Sequence, residues 1–304
     1  MTNKRFQGTG TAMITPFKTD GSVDEQALRR FVDFQISGGV DMLLPCGTTG
    51  EGATLDDNET DRVVQIVVEQ AKGRVPVIAG AGSNSTAKAI QLTKRAKRVG
   101  ADGVLSVGPY YNKPTQQGFY EHFKAIAECE AIPVIVYNVP GRTGSNIEAK
   151  TMLRLAEVPN IVAVKEASGN LGQMMDIIRD APQDFRVLSG DDALTLPLIA
   201  MGGHGVVSVV SNETPDLMSA MVNAALEGNL AKARELHYKL LPLMNINFIE
   251  SNPIPAKAAL AMMGLIEENY RLPMVRITPA NKDKVAKVIE ELGLVVSQGM
   301  RGSR

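Results

Sequence analysis

The sequence has few cysteines and few histidines, and both shortages argue against metal and disulfide sites. Only Cys46 and Cys129 occur, far apart and outside any Cys-X-X-Cys pattern, so neither a disulfide framework nor a cysteine zinc site is indicated. The three histidines, His122, His204 and His237, fall on separate predicted elements and form no ligand triad. We expect two buried thiols and no metal.

A long apolar run and a strong charge imbalance are also missing. No segment approaches the roughly 20 apolar residues of a membrane span, and the N-terminus lacks the apolar stretch of a signal peptide. The formal net charge is -1, without the concentrated basic face that nucleic acids or anionic membranes require. We therefore expect a cytoplasmic protein that binds neither membrane nor nucleic acid.

The 304 residues are 44% hydrophobic and 21% charged, which is typical of a globular protein with a sizeable core. Short apolar runs recur eight times along the chain: Thr11–Thr15, Met42–Pro45, Val75–Ala79, Gly103–Val107, Val134–Asn138, Ile161–Lys165, Phe185–Ser189 and Gly205–Val209. Continuous apolar strands are buried on both faces, as in parallel sheets, and amphipathic helical segments lie between them. The pattern predicts an α/β protein, a (β/α)8 TIM barrel. An open, doubly wound sheet is the alternative, and only the count of eight disfavours it.

After the eighth run the pattern changes to helices alone, which predicts a C-terminal helical extension. We place the barrel catalytic domain at residues 1–228 and the helical domain at 229–297. Residues 298–304 are polar and aperiodic, and we interpret them as a tail or an expression scar.

In such barrels the functional groups lie at the carboxyl ends of the strands. The sixth run ends in Lys165, where burial of an ammonium is costly and favours the free amine, the form that attacks ketones to make Schiff bases. Glu166 is a poor partner because consecutive strand residues point to opposite faces. Tyr137 lies near the end of the fifth run, just before Asn138, where it is either a core residue or part of a site.

Glycine-rich loops follow several of the runs. The segment Gly47–Gly52 combines glycines with two threonines, as in backbone nests that bind carboxylate or phosphate, and Arg142 stands on a glycine-flanked loop. The segment Gly80–Ser85 only partly resembles a dinucleotide loop, so we expect no nicotinamide cofactor. The pair Asp191-Asp192 either binds magnesium or, more simply, forms the N-cap of the next helix.

Five longer motifs carry a resemblance to a known family: GTTGEG (47–52), PYYNKPTQQGFYEHF (109–123), YNVPGRTG (137–144), VKEASGN (164–170) and LSGDDALTLP (188–197). From about Gly8 to Leu294 the chain resembles the dihydrodipicolinate synthase family of class I aldolases. The resemblance implies a lyase that condenses pyruvate with L-aspartate 4-semialdehyde to 4-hydroxy-tetrahydrodipicolinate, in the diaminopimelate route to lysine, with no cofactor. It also implies a homotetramer built as a dimer of dimers.

The resemblance assigns roles residue by residue. Lys165 matches the Schiff-base lysine, Tyr137 the general acid and base, and Thr48 and Tyr111 the hydroxyls of a proton relay, with Tyr111 reaching the neighbouring subunit's site. The residues that match substrate-binding positions are Thr49, which holds the pyruvate carboxylate, Arg142, which receives the second substrate's carboxylate, Val207, which lines the pyruvate pocket, and Gly190.

Three matters remain open in the sequence. Sister families such as N-acetylneuraminate lyase and the 2-keto-3-deoxy sugar acid aldolases share the barrel and the lysine, and a non-catalytic keto-acid sensor is a third reading. Feedback-inhibited members place histidine and glutamate around a lysine-binding cleft, where this chain has Asp57, Thr60 and Lys88, although Asn84 and Tyr110 remain. Because Lys88 would repel the ammonium of lysine, we expect weak or absent inhibition by lysine.

Overall fold

The computed structural model describes residues 3–295 and contains eight parallel strands alternating with helices. The strands are β1 (Gly8–Ala12), β2 (Met42–Leu44), β3 (Ile78–Gly80), β4 (Gly103–Val107), β5 (Val134–Asn138), β6 (Ile161–Glu166), β7 (Arg186–Ser189) and β8 (Gly205–Ser208). They follow the sheet order β2-β1-β8-β7-β6-β5-β4-β3. A parallel bridge between Leu43 and Val77 joins the two ends of that order, so the sheet closes on itself. The predicted (β/α)8 barrel is confirmed, and the open-sheet alternative is wrong.

Within residues 3–295, twelve α-helices accompany the strands: α1 (Glu25–Ser37), α2 (Asp57–Ala71), α3 (Thr86–Arg98), α4 (Gln116–Glu128), α5 (Pro140–Thr143), α6 (Ala149–Ala156), α7 (Leu171–Asp180), α8 (Thr195–Ala200), α9 (Pro215–Leu226), α10 (Leu230–Ile246), α11 (Ile254–Met262) and α12 (Pro279–Glu291). Six of them, α1 to α4, α7 and α10, follow a residue whose side chain caps the free backbone amides. Asp56, for example, accepts from the amides of Asn58 and Glu59, while Glu59 bonds back to the Asp56 amide, which makes a reciprocal capping box.

Two strands begin three residues away from the starts of their apolar runs, and β7 begins one residue after the start of its run. The first is Gly8–Ala12 rather than Thr11–Thr15, because its sequence GTGTA has small residues where neighbouring strands come close. A side chain at residue 10 would lie 2.8 Å from Cδ1 of Leu44. The third strand begins at Ile78, whereas the run begins at Val75. Pro76 has no amide to donate to a ladder and only accepts, from the amide of Leu43.

Three apolar regions stabilise the described part of the chain. One lies between the barrel and its surrounding helices, one joins α9 with the C-terminal helices α10 to α12, and the third fills the barrel interior. A C-terminal helical extension is therefore present, whereas its boundary at residue 229 stays a prediction. Residues 298–304 lie outside the described part of the chain. Among residues 3–295, no helix has the length and apolar character needed to cross a membrane.

The two cysteines differ in their surroundings. Cys46 is buried, as predicted, and burial raises the pKa of its thiol to about 12, so it stays protonated. The prediction that Cys129 is buried is wrong: it is half-buried, because it follows the last residue of α4 at the surface end of that helix.

Candidate active site

Lys165 and Tyr137 lie side by side at the carboxyl ends of neighbouring strands. The register of β5 and β6 pairs Tyr137 with Lys165, and the Lys165 Nζ atom lies 4.2 Å from the centroid of the Tyr137 ring. The two residues are only 6% and 7% exposed. The sequence therefore predicted correctly that a lysine at this strand end is buried, and the structure places an aromatic hydroxyl residue against it.

Burial changes the protonation of both groups. It lowers the pKa of Lys165 to about 8; the charge of Asp192 opposes this shift, and the charge of Arg142 adds to it. Burial also raises the pKa of Tyr137 to about 12, with Arg142 acting in the opposite direction. Near neutral pH the lysine is thus partly a free amine, whereas the phenol keeps its proton.

Glu166 is the residue next to Lys165, but it belongs to a different network. Its carboxylate accepts from the side-chain amides of Asn138 and Gln173, each at 3.0 Å, and from the amide of Ser168 at 2.7 Å. This agrees with the alternation of strand residues, which directs Glu166 away from the lysine.

Asp192 is a site residue that reasoning from the sequence missed. Only Asp191 caps the following turn, accepting from the amide of Ala193 at 2.9 Å. Asp192 is 3% exposed and accepts from the amides of Val209 and Val210 at 3.0 and 3.1 Å. The N-cap interpretation is therefore wrong for Asp192. Because the two acids are adjacent in the sequence, nothing in the sequence indicated that Asp191 caps the turn while Asp192 is buried near the lysine.

A cavity of about 510 Å³ opens above these residues at the carboxyl end of the barrel. Six residues predicted for the site line it: Thr48, Thr49, Tyr137, Arg142, Lys165 and Gly190. Gly190 must be small, because a side chain there would lie 3.1 Å from Cε of Lys165. Val207 is buried in the barrel interior with Tyr137, and within the described residues it is Val209 that lines the cavity instead.

Tyr111 is the remaining predicted residue, and it points away from this cavity. It is 89% exposed, in a left-handed backbone conformation with φ of 73°. Its neighbour Tyr110 lines the cavity, and the Tyr111 amide donates to the carbonyl of Thr143 at 3.4 Å. The loop is thus held at the mouth of the site with the Tyr111 side chain free to contact another molecule.

The threonine loop after β2 lines the same cavity as the lysine. Thr49 is 3% exposed, and Thr48 is an exposed residue at the edge of the cavity. Gly52 allows the tight turn, since a side chain there would lie 2.2 Å from the carbonyl oxygen of Cys46. The cavity also includes Asn252 from the C-terminal segment, which nothing in the local sequence indicated.

Among residues 3–295, no group of three or more His, Cys, Asp or Glu side chains is arranged to hold a metal ion.

Comparisons with known proteins agree with this geometry. The model of the dihydrodipicolinate synthetase family matches residues 5–292. The chain belongs to this family. It is 57% identical over 292 residues to a 4-hydroxy-tetrahydrodipicolinate synthase of Koribacter versatilis, covering 96% of this chain and 97% of that protein.

Two solved structures of the dihydrodipicolinate synthetase family show the same fold. The dihydrodipicolinate synthase from Aquifex aeolicus is 47% identical, with a TM-score of 0.94, and the match covers 96% of this chain and all of that one. A chloride-inhibited dihydrodipicolinate synthase from Acinetobacter baumannii, complexed with pyruvate, is 42% identical with a TM-score of 0.94 over 95% of this chain and 99% of that one.

The residues that resemble the family's regulatory cleft lie on the outer part of the same cavity. Asp57, Thr60, Lys88 and Tyr110 all line it. Asn84 lies beside them, and its side-chain amide donates to the carbonyl of Tyr110 at 3.3 Å. A cation entering this region would meet the ammonium group of Lys88.

Proposed function

We propose that the chain condenses pyruvate with L-aspartate 4-semialdehyde to form 4-hydroxy-tetrahydrodipicolinate, with Lys165 as the covalent group. The observation that carries this proposal is a buried lysine, with its pKa lowered to about 8, in one cavity with Tyr137, Thr49 and Arg142. The relatives are named for the product, 4-hydroxy-tetrahydrodipicolinate, and one solved relative is complexed with pyruvate. L-Aspartate 4-semialdehyde is the second substrate that the family resemblance implies.

The first half of the reaction forms the Schiff base. The Lys165 amine attacks the ketone carbon of pyruvate, and the ketone oxygen leaves as water, giving an iminium. Tyr137 remains protonated at neutral pH because its pKa is about 12, so it can deliver the proton that the departing oxygen needs. The hydroxyl and amide of Thr49 hold the carboxylate.

The second half makes a carbon–carbon bond and closes the ring. The iminium draws electrons from the methyl group, which loses a proton to give an enamine. The enamine carbon attacks the aldehyde of the second substrate, whose carboxylate Arg142 binds. The substrate's own amine then adds to the iminium carbon and expels Lys165, so the enzyme is regenerated. Thr48 and Tyr111 pass protons between Tyr137 and solvent.

We propose a homotetramer in which Tyr111 completes the site of a neighbouring subunit. The ring of Tyr111 is 89% exposed, on the loop whose Tyr110 lines the cavity, and this position leaves it accessible to a neighbouring subunit.

Reductive trapping tests the covalent chemistry. The protein is incubated with pyruvate and sodium borohydride, and the intact mass and the modified peptide are measured. An adduct on Lys165 is expected in the native protein and in a Lys88→Ala control, which alters a lysine on the outer part of the cavity, and none in Lys165→Ala. Lys165→Ala should also abolish turnover, and Tyr137→Phe should leave a trace. An adduct on another lysine, or full activity in Lys165→Ala, would overturn the mechanism.

The acceptor is identified separately by turnover. Sister aldolases form the same Schiff base with pyruvate, so trapping does not distinguish them. The purified protein is therefore assayed with pyruvate and L-aspartate 4-semialdehyde. In parallel assays N-acetylmannosamine or a short sugar aldehyde replaces the semialdehyde. The proposal requires the semialdehyde to give the highest kcat/KM; a preference for a sugar aldehyde would assign the chain to a sister activity.

A further inference from the structure

The threonine loop of the active site is held by a segment that lies more than 200 residues later in the chain. Asn252 precedes α11 and donates from its Nδ2 atom to the Thr49 Oγ1 atom at 2.9 Å. Lys257, on α11, bonds to Glu51 at 2.6 Å, and the amide of Arg271 donates to the other Glu51 oxygen at 3.1 Å. The loop is therefore fixed from the C-terminal segment at two points.

The Asn252 contact determines which way the Thr49 hydroxyl points. A threonine hydroxyl has one proton to donate and two lone pairs that accept. Because Nδ2 of Asn252 is a donor, the bond occupies a lone pair of Thr49 and leaves the proton unused. Among the described residues the Thr49 hydroxyl has no other hydrogen-bond partner, and both residues line the cavity. The proton is thus available to a carboxylate oxygen of a bound keto acid.

The Thr49 hydroxyl and the Asn252 amide are both buried, and burial stabilises the orientation of the hydroxyl. Thr49 is 3% exposed and Asn252 is 5% exposed, so water does not compete freely for the hydroxyl. A hydrogen bond from a neutral hydroxyl to a carboxylate is stronger than one to a neutral acceptor, and its geometry matters accordingly. An unoriented hydroxyl would also have to lose rotational freedom when the substrate binds.

We propose that Asn252 is a positioning residue for pyruvate binding, acting through the Thr49 hydroxyl. This rests on the function proposed above, with Thr49 as the carboxylate-binding residue. The effect should fall on pyruvate binding and not on the chemical step, since neither Thr49 nor Asn252 exchanges protons with the reacting carbon.

A double-mutant cycle tests the proposal. Asn252→Ala should raise the pyruvate KM about tenfold with kcat changed less than about threefold, the size expected when a hydrogen bond to a charged group is misaligned. Asn252→Asp should raise the pyruvate KM at least as much, because the new carboxylate would accept a hydrogen bond from the Thr49 hydroxyl and so compete with the carboxylate of pyruvate. In a Thr49→Val background, Asn252→Ala should change KM by less than about twofold. Asn229→Ala, which removes the α10 cap far from the cavity, is the matched control and should leave KM unchanged.

Each outcome has one meaning. If Asn252→Ala raises KM by the same factor with and without Thr49, Asn252 acts directly on the substrate or on the fold, and the proposal is wrong. An unchanged KM in Asn252→Ala also contradicts it. Borohydride trapping at saturating pyruvate is run on the native protein and on every variant. Absence of an adduct on Lys165 in the native protein would contradict the proposed function. A normal adduct together with an unaltered KM in Asn252→Ala would contradict only the role of Asn252.

Discussion

Lys165 shows how one buried residue is prepared for chemistry by its surroundings. An amine with a pKa of about 8 is roughly a tenth unprotonated at pH 7, compared with about three in ten thousand for an ordinary lysine. Burial alone would lower the pKa further, but the nearby carboxylate of Asp192 partly opposes it. The site thus balances nucleophilicity against the cost of burying a charge.

The balance predicts a pH dependence. Because the Lys165 pKa in the folded protein is lowered, the reactive amine becomes more abundant as pH rises and levels off above about 8. The initial rate of iminium formation at low pyruvate, measured from pH 6 to pH 9.5, should follow this curve. Asp192→Asn should move the midpoint to lower pH, since it removes the charge that favours the ammonium form.

Asp191→Asn is the control for that experiment. It alters the neighbouring acid, which caps a turn through the Ala193 amide, and should leave the midpoint in place. A midpoint near 10 in the native protein, or one that rises in Asp192→Asn, would show that burial and Asp192 do not set the reactivity of Lys165.

At the scale of elements, the loop after β2 and helix α11 are joined by a buried ion pair. Lys257 and Glu51 have side chains that are 0% and 1% exposed. Burial lowers the pKa of Lys257, and the charge of Glu51 opposes that effect. The rings of Phe17 and Tyr270 flank the ammonium at 4.3 and 5.2 Å from their centroids. The loop therefore depends on a helix outside the barrel for its conformation.

Breaking this pair on one side should be costly. Lys257→Met leaves the Glu51 carboxylate buried without its counter-charge and should lower the free energy of unfolding by about 3–5 kcal/mol. The double variant Glu51→Gln with Lys257→Met should recover part of that loss. Urea unfolding followed by circular dichroism measures the loss of unfolding free energy in Lys257→Met, in Glu51→Gln and in the double variant.

A surface pair on the C-terminal helices serves for comparison. Lys232, on α10, binds Glu235 at 2.9 Å, and the two side chains are 49% and 68% exposed, so Lys232→Met should cost no more than about 1 kcal/mol. If the losses from Glu51→Gln and Lys257→Met simply added in the double variant, the two residues would not be coupled.

For the whole molecule, the position of Tyr111 decides whether one chain is sufficient. Subunit mixing tests this: Tyr111→Phe and Lys165→Ala should each have little activity. If Tyr111 serves the neighbouring site, a mixed pair contains one site with both Lys165 and Tyr111 intact. Co-refolded mixtures should then regain up to about a quarter of native activity, the statistical share expected for random pairing. Mixtures no more active than their components would place Tyr111 in its own subunit's site or in none.

The outer cavity predicts the response of the whole enzyme to lysine. Lys88 stands beside Asp57 and Thr60, so the ammonium of a bound lysine would meet a like charge there. We expect less than half inhibition at millimolar L-lysine, and greater sensitivity in Lys88→Glu, measured as initial rates with both substrates. Half-inhibition of the native enzyme by submillimolar lysine would contradict this prediction.

The alternation of apolar runs and amphipathic segments was sufficient to predict the barrel, because a strand that is buried on both faces has an almost continuously apolar sequence. The first strand was placed three residues too late, since strand Gly8–Ala12 depends on small residues rather than apolar ones. Lys165 was likewise evident, because a charge at the end of an apolar strand is costly wherever it occurs.

The sequence by itself determined the order of elements and the strand ends at which the candidate functional groups stand, and it was sufficient to propose Lys165 as the nucleophile. Only the tertiary structure decided that Asp192, and not Asp191, is buried where its charge acts on the lysine, and that Asn252 reaches Thr49 across 203 positions of sequence. Spacing along the chain records local periodicity, whereas such contacts arise from closing the barrel and packing α11 against it. Two side chains that distant share no pattern until the fold brings them together.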